Sequence, residues 1–245
     1  EMGWAEMGEA LRLAVEFDLR YALCRLTNLR AARAGFYTEP DAAGLLDEAL
    51  ELAEEMQDVK ELQRAHNSLA GYLHVCGEPE KSLEHYRKAR ELARQEHDQR
   101  RVLHAEMHMA LVLWGTDQLE EARSLLESGL ARCGASGDVQ VETLLLLNLS
   151  YTLILLGKLE EADRMLSVVQ ERIPRTPEAM KMEGRRRAWV DHSLGRLRLR
   201  QGRLDEARAA FDRVEGEEVK TVQRHNEVRF VLARAELEAR CGQLF

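Results

Sequence analysis

The 245-residue chain lacks the long apolar runs, paired cysteines and glycine-rich loops that mark several classes of protein. No apolar run approaches the roughly 18 residues of a membrane-spanning helix, so we expect no membrane contact. Cys24, Cys76, Cys133 and Cys241 stand far apart and form no Cys-x-x-Cys pair. The sequence therefore predicts neither a disulfide framework nor a zinc site. Unpaired thiols of this kind are typical of a reducing cytoplasm, where we expect the protein to reside.

Motifs for catalysis and for cofactors are also missing. His104 and His108 share one face of a predicted helix, but the metalloprotease pattern needs a glutamate directly after its first histidine. Here Glu106 stands two places on. The glycines occur singly and never as a phosphate-binding Gly-x-x-x-x-Gly-Lys run. We therefore predict no enzymatic activity, no cofactor and no bound metal.

The charge balance disfavours nucleic acid as the main partner, because the net charge is −8 and only 5% of the residues are aromatic. The distribution is uneven: residues 39–58 carry eight acids and no Lys or Arg, whereas residues 181–213 carry ten bases and five acids. Solvated helix faces are one explanation. The alternative is that the basic stretch attracts an acidic partner.

The chain does have an internal repeat. In each copy a small residue is followed four places on by a bulky residue and three places later by another small or β-branched one. The first members lie 40, 40, 40 and 45 residues apart. The triplets are Ala42/Leu46/Ala49, Ser82/Tyr86/Ala89, Ala122/Leu126/Gly129, Ala162/Leu166/Val169 and Ala207/Phe211/Val214. Small residues at this spacing let neighbouring helices approach closely, so we predict buried helix crossings.

Further markers support the same register. A small residue precedes each turn, and the set is Ala70, Ala110, Ser150, Gly195 and Ala235. Glycines at 77, 157, 202 and 242 punctuate the turns themselves. Asp58, Asp98 and Asp138 precede predicted helices, where a carboxylate can cap free N–H groups. The five extra residues between Ala162 and Ala207 predict one longer helix.

These residues resemble the tetratricopeptide repeat (TPR) family. The stretch from His192 to Ala207 looks like its leucine-glycine, glycine-turn and glutamate-alanine signature, and residues 77–89 and 157–162 are similar. The period of about 40 exceeds the usual 34 and resembles that of longer-helix arrays from bacterial regulators. The resemblance implies an all-α fold, a right-handed α-solenoid of antiparallel helix pairs.

The register divides residues 1–245, expected to form a single solenoid, into helix pairs. The predicted spans are an orphan second helix at 1–17, pairs at 19–56, 59–96, 98–133, 138–172 and 177–215, and an orphan first helix at 218–245. Because both ends break a pair, we expect the chain to be a piece of a longer protein.

The resemblance also implies that the first helix of each pair lines a concave peptide-binding groove. The predicted groove residues are Arg64, Asn67, His74, His104, His108, Leu111, Trp114, Leu147, Tyr151, Trp189, His192, Arg196, Arg200 and Arg229. Family members that grip a carboxylate use Lys and Asn at particular sites, and Asn67 and Gly71 stand there in this chain. We expect a protein or peptide with acidic residues and apolar anchors to bind across Trp114, Tyr151 and Arg196.

Three interpretations of function remain open. The favoured one is a protein- or peptide-binding module, the sensor part of a cytoplasmic signalling or transcription regulator whose effector domain lies outside this sequence. The second is a scaffold that self-associates head to tail through its open ends. The third is an enzyme or small-molecule receptor that uses the histidine-rich groove. A DNA-binding or nucleotide-cyclase domain next to this region in the full-length gene would decide between the three interpretations.

Overall fold

The computed structural model describes residues 4–37, 39–134, 138–172, 177–214 and 224–242, and this part of the chain is all-α, as predicted. The start predicted at 218 for the last helix lies outside these residues. The helices are α1 (Trp4–Glu16), α2 (Arg20–Tyr37), α3 (Ala42–Met56), α4 (Val59–Val75), α5 (Pro79–Gln95), α6 (Gln99–Gly115), α7 (Leu119–Gly134), α8 (Val139–Leu155), α9 (Leu159–Arg172), α10 (Pro177–Arg200), α11 (Leu204–Asp212) and α12 (Arg224–Arg240).

The helices form two compact units, which we call unit 1 (Glu1–Thr116) and unit 2 (Asp117–Phe245). In unit 1, α2 packs against α3 and α4, and α5 packs against α4 and α6. In unit 2, α8 packs against α7 and α9, and α10 packs against α11 and α12. A short turn joins α4 to α5 in unit 1 and α8 to α9 in unit 2, so the two helices of each of these pairs run antiparallel. One continuous solenoid over residues 1–245 stays a prediction.

The turns after α4, α6, α8 and α10 each contain a left-handed residue. Gly77 has a φ of 80°, and the next N–H, that of Glu78, donates to the carbonyl oxygen of Leu73 at 2.9 Å. This bond satisfies a carbonyl that the helix end would leave unpaired. Asp117, with a φ of 59°, stands where the 40-residue spacing would place the glycine of the third pair. Aspartate tolerates this conformation better than most side chains, which explains why the glycine pattern skips one copy.

The predicted aspartate caps are confirmed. Oδ1 of Asp58 accepts from the N–H groups of Lys60 and Glu61 at 2.9 and 3.0 Å. Asp98 accepts from one N–H at the start of α6, and Asp138 accepts from two at the start of α8. These are the orphan donors of a helix N-terminus.

The predicted helix crossings are confirmed as well, because all fifteen residues of the five triplets are buried. The markers before the turns are buried from Ala70 to Gly195, but Ala235 is exposed, so it marks no packed crossing in the described structure. Ser82 shows how closely two helices meet, since its hydroxyl donates to the carbonyl oxygen of Ala70 at 2.8 Å. The long helix is also confirmed: α10 has 24 residues, whereas α4, α6 and α8 have 17 each.

Within the described residues, no helix combines the length and the apolar character needed to cross a membrane.

Candidate functional site

The predicted groove residues all lie on α4, α6, α8, α10 and α12, the helices that open the pairs. In unit 1 they differ in exposure. Six are half-buried, namely Arg64, Asn67, His74, His104, His108 and Leu111. Trp114 is buried, with 8% of its surface exposed. Unit 1 therefore offers a row of partly accessible side chains on α4 and α6.

A concave site lies between α2 and α4, and we call it the α2–α4 pocket. Its volume is about 140 Å³. The lining residues are Arg25, Asn28, Leu29, Ala32, Gln63, Arg64, Asn67 and Ser68. Two of these, Arg64 and Asn67, belong to the groove predicted from sequence.

The side chain of Glu61, which is fully buried, organises this pocket. Its Oε1 atom accepts a hydrogen bond from Nη1 of Arg25 at 3.2 Å and another from Nη1 of Arg64. Its Oε2 atom accepts from Nδ2 of Asn28 at 2.9 Å. One buried carboxylate thus accepts hydrogen bonds from two guanidinium groups and an amide.

Arg25, Asn28 and Glu61 are not among the groove residues predicted from sequence. The signal was present, because Arg25 and Asn28 stand 39 residues before Arg64 and Asn67, close to the repeat period. The groove predicted from sequence begins with Arg64 on α4 and therefore leaves out α2. Arg25 and Asn28 supply two of the six polar residues that line the pocket.

Three histidines, His74, His104 and His108, also belong to the row in unit 1. The ring of His108 stacks on Tyr86 with 5.4 Å between centroids and 7° between planes. Burial, and then the neighbouring His104 and His74, lower the pKa of His108 to about 4. The imidazole is therefore neutral near pH 7. It acts as a flat stacking group and carries no charge toward a partner.

In unit 2 three predicted residues, Tyr151, Trp189 and His192, pack with two phenylalanines, Phe211 on α11 and Phe230 on α12. We call these five side chains the aromatic cluster. The ring centroids of Tyr151 and Trp189 lie 5.2 Å apart, and those of His192 and Phe230 lie 4.3 Å apart. His192 has no exposed surface and Tyr151 has only 4%. Most of this cluster is core, and Trp189 is its half-buried member.

The remaining predicted residues of unit 2 differ in accessibility. Leu147 is buried at 1% exposure, so it packs inside the unit. Arg196 is half-buried and contacts Glu236, with 3.4 Å between Nη1 and Oε2. Arg200 is exposed and Arg229 is half-buried. Trp114, Tyr151 and Arg196, the expected anchor points, are thus two buried aromatics and one ion-paired arginine.

Carboxylates pair with several described arginines of the basic stretch that the sequence suggested as an attractor. Arg198 binds Asp163 through both terminal nitrogens at 2.9 and 3.0 Å. Further pairs join Arg208 to Glu238, Arg213 to Asp191 and Arg203 to Glu206. Asp163 and Glu238 lie outside residues 181–213, so their pairs with Arg198 and Arg208 offset two charges of the basic excess.

No cluster of three metal-ligating His, Cys, Asp or Glu side chains occurs in the part of the chain that the structure describes.

Antiparallel helix pairs with buried small residues at a regular period define an α-helical repeat protein. Residues 61–135 match one tetratricopeptide repeat model and residues 188–213 match another. These two stretches thus carry tetratricopeptide repeats, which confirms the resemblance to that repeat, whereas the likeness to arrays from bacterial regulators stays a prediction. Such repeats indicate a protein–protein interaction module. No curated protein matches the chain.

Solved structures show the same fold at low sequence identity. BtubC (BKLC) from P. vanneervenii is 19% identical, with a TM-score of 0.59 and 85% of each chain covered. A protein from Podosopora anserina, described as a kinesin light chain with nearly identical TPR-like repeats, is 18% identical with a TM-score of 0.52. That match covers 82% of this chain and 96% of the other. At these identities the likeness supports the repeat solenoid fold alone.

Proposed function

We propose that the chain is a peptide-binding module that serves as the sensor or regulatory part of a cytoplasmic signalling or transcription regulator. The observation that carries this proposal is the row of half-buried side chains on α4 and α6 of unit 1, which continues into the α2–α4 pocket. Polar groups fixed by buried partners and set among apolar side chains are what a peptide-recognition surface needs.

The chemistry of the row favours a peptide over a small molecule. The pocket of about 140 Å³ is smaller than the roughly 300–1,000 Å³ of typical small-molecule sites. It accommodates one side chain, whereas His74 and His104 are not part of its lining and can contact neighbouring residues of an extended segment. A regulator follows from such a module when peptide binding changes the activity of an attached effector domain.

Selection from a random library of linear 12-residue peptides tests the proposal. Fluorescence anisotropy then measures the affinity of the selected peptides for wild type and for two matched variants. We expect the site variant Asn67→Ala/His104→Ala to lose at least tenfold in affinity. The control variant Arg87→Ala/Gln95→Ala, exposed on α5, should change affinity less than twofold. Recovery of no peptide, or equal affinity for both variants, would contradict this function.

A second candidate function is a self-associating scaffold. Exposed apolar side chains occur on α1, where Leu13 and Val15 are 37% and 65% exposed, and on α12, where Val231 and Leu232 are 67% and 61% exposed. Apolar surface of this kind favours association. Light scattering over a concentration series distinguishes the candidates: a scaffold grows with concentration and loses this growth in Leu13→Glu or Val231→Glu. A monomer at every concentration contradicts the scaffold.

A further inference from the structure

We propose that the α2–α4 pocket receives the carboxylate of an acidic side chain in the bound peptide, with Arg25 and Arg64 as its ligands and Glu61 as their positioning residue. The inference rests on the peptide-binding function proposed above. It assigns a specific anchor to unit 1, with Arg64 from the predicted groove on α4 and Arg25 from α2, which lies outside that groove.

The first support is the position of the two guanidinium groups. Both donate from Nη1 to the same atom, Oε1 of Glu61, so they converge on one point. A guanidinium carries five N–H donors in a fixed fork, so each arginine keeps donors beyond the one that Glu61 takes. The side chains of Arg25 and Arg64 are 37% and 28% exposed, so a ligand can reach them.

The second support is that Glu61 is held from several sides and cannot turn away. Asn28 donates from Nδ2 to Oε2 of Glu61 at 2.9 Å and to its backbone oxygen at 3.3 Å. The backbone N–H of Glu61 is bound to the Asp58 cap at 3.0 Å. A carboxylate fixed in this way presents the arginines in one geometry, which lowers the ordering cost of binding.

The third support is the charge balance of the pocket. Arg25 and Arg64 are the charged residues among those that line it, and the remaining lining residues are uncharged. Beneath them Glu61, which is fully buried, supplies one carboxylate for two guanidiniums. Like charges held this close repel each other, and an incoming anion removes the imbalance. The excess of one positive charge matches one carboxylate.

The same balance favours a carboxylate over a phosphoryl group. A phosphorylated side chain brings a charge of about −1.5 to −2 at neutral pH, which overshoots the single excess. Arginine also pairs with planar carboxylates through two parallel hydrogen bonds. Asn67 and Ser68 line the pocket beside the arginines and add uncharged hydrogen-bonding groups.

The experiment uses peptides from the 12-residue library selected on the intact chain. In each selected peptide every Asp or Glu is changed in turn to Asn or Gln, and to phosphoserine in a parallel set. Affinities are measured by fluorescence anisotropy on wild type, on Arg25→Gln/Arg64→Gln and on the control Arg87→Gln. Circular dichroism and a thermal melt check that each variant folds.

We expect one acidic residue whose change to its amide lowers affinity for wild type at least tenfold and for Arg25→Gln/Arg64→Gln less than twofold. The control Arg87→Gln should behave as wild type. If peptides bind but no acid-to-amide change matters, or if the phosphoserine peptide binds better than the acidic one, the carboxylate anchor is wrong and the peptide-binding function stands. If no peptide is selected, both fail.

Discussion

A Cβ atom on Gly195 would lie 2.8 Å from Cζ of Phe211 and closer still to Cδ1 and Cε1 of the same ring. Gly195 lies in α10 and Phe211 in α11, so the backbone of one helix touches an aromatic ring of the next. Both residues are buried. The glycine therefore sets the closest approach of the two helices, and it explains why a residue of poor helix propensity stands inside a helix.

Replacement of Gly195 by alanine should destabilise unit 2. The added methyl group must displace the ring, and overpacking of this kind costs about 1–3 kcal/mol. Alanine also improves helix propensity by about 1 kcal/mol, so a net loss of stability isolates the steric effect. Urea denaturation measures the free energy of unfolding. The double variant Gly195→Ala/Phe211→Leu should recover part of the loss.

The matched control is Gly44→Ala in α3, where an added Cβ atom meets no other atom within 4 Å. This variant should keep or gain stability, because the substitution raises helix propensity and introduces no steric clash. Equal stability of Gly195→Ala and wild type would show that α10 and α11 separate at no cost, against the contact described above.

The fold was predictable because close helix packing requires a small residue at the same position of each repeat. Ala122, Ala162 and Ala207 recur in register because a larger side chain would hold the helices apart. The caps were also predictable, because an aspartate directly before a helix can accept hydrogen bonds from the free N–H groups of the first turn. Asp117 was not, because a side chain that tolerates the left-handed conformation can replace glycine without changing the turn.

Stability should fall between pH 7 and pH 5, and His192 should account for part of the loss. Burial, and then the charges of Arg196 and Arg229, lower the pKa of His192 to about 3. In the unfolded chain the same group titrates near about 6.5. Below that pH the unfolded state binds a proton that the folded state does not, so unfolding becomes easier until the folded pKa is reached.

The variant His192→Leu removes this contribution. Between pH 7 and pH 5 wild type should lose about 2 kcal/mol more than the variant. His66 and His108, whose pKa values burial also lowers to about 4, act in both proteins and cancel in the difference. Urea denaturation at the two pH values gives the comparison. The same pH dependence in both proteins would contradict the assignment to His192.

The site was less predictable than the fold, because helical register alone does not determine burial. His192 falls at a predicted groove position, yet Trp189, Phe211 and Phe230 surround it and neither ring nitrogen has a hydrogen-bond partner within the described structure. Arg64 belongs to the predicted groove, but sequence alone could not show that a buried Glu61 would accept hydrogen bonds from both Arg64 and Arg25. Hydrogen bonds of this kind depend on which helices pack against each other.

Substitution of Gln57 by glycine should stabilise unit 1. Gln57 ends α3 in the left-handed region, with a φ of 51° and a ψ of 29°. This conformation costs about 1–2 kcal/mol for most residues with a side chain, and glycine avoids much of that cost. We expect a gain of about 0.5–1 kcal/mol in urea denaturation, less the entropy that glycine adds to the unfolded chain. Gln170→Gly, inside α9, is the control and should lose about 1 kcal/mol.

Enlargement of a crossing residue should open the helix packing. Ala207 is fully buried and packs in a cluster with Leu199, Phe211, Ala233 and Leu237. Ala207→Leu adds three carbons where no space remains, so we expect a loss of about 1–3 kcal/mol and a lower Tm. The same reasoning applies to the fully buried Ala122 and Ala162.

Ala209→Leu is the matched control for the crossing, because Ala209 is exposed on the same helix and should tolerate the change within about 0.5 kcal/mol. A thermal melt of all four variants decides. If Ala122→Leu, Ala162→Leu and Ala207→Leu all melt with wild type, small side chains are not needed at the crossings. In that case the 40-residue register reflects composition and not close helix packing. A lower Tm for all three, with the Tm of Ala209→Leu unchanged, would show that the sequence period follows from the close packing of the helices.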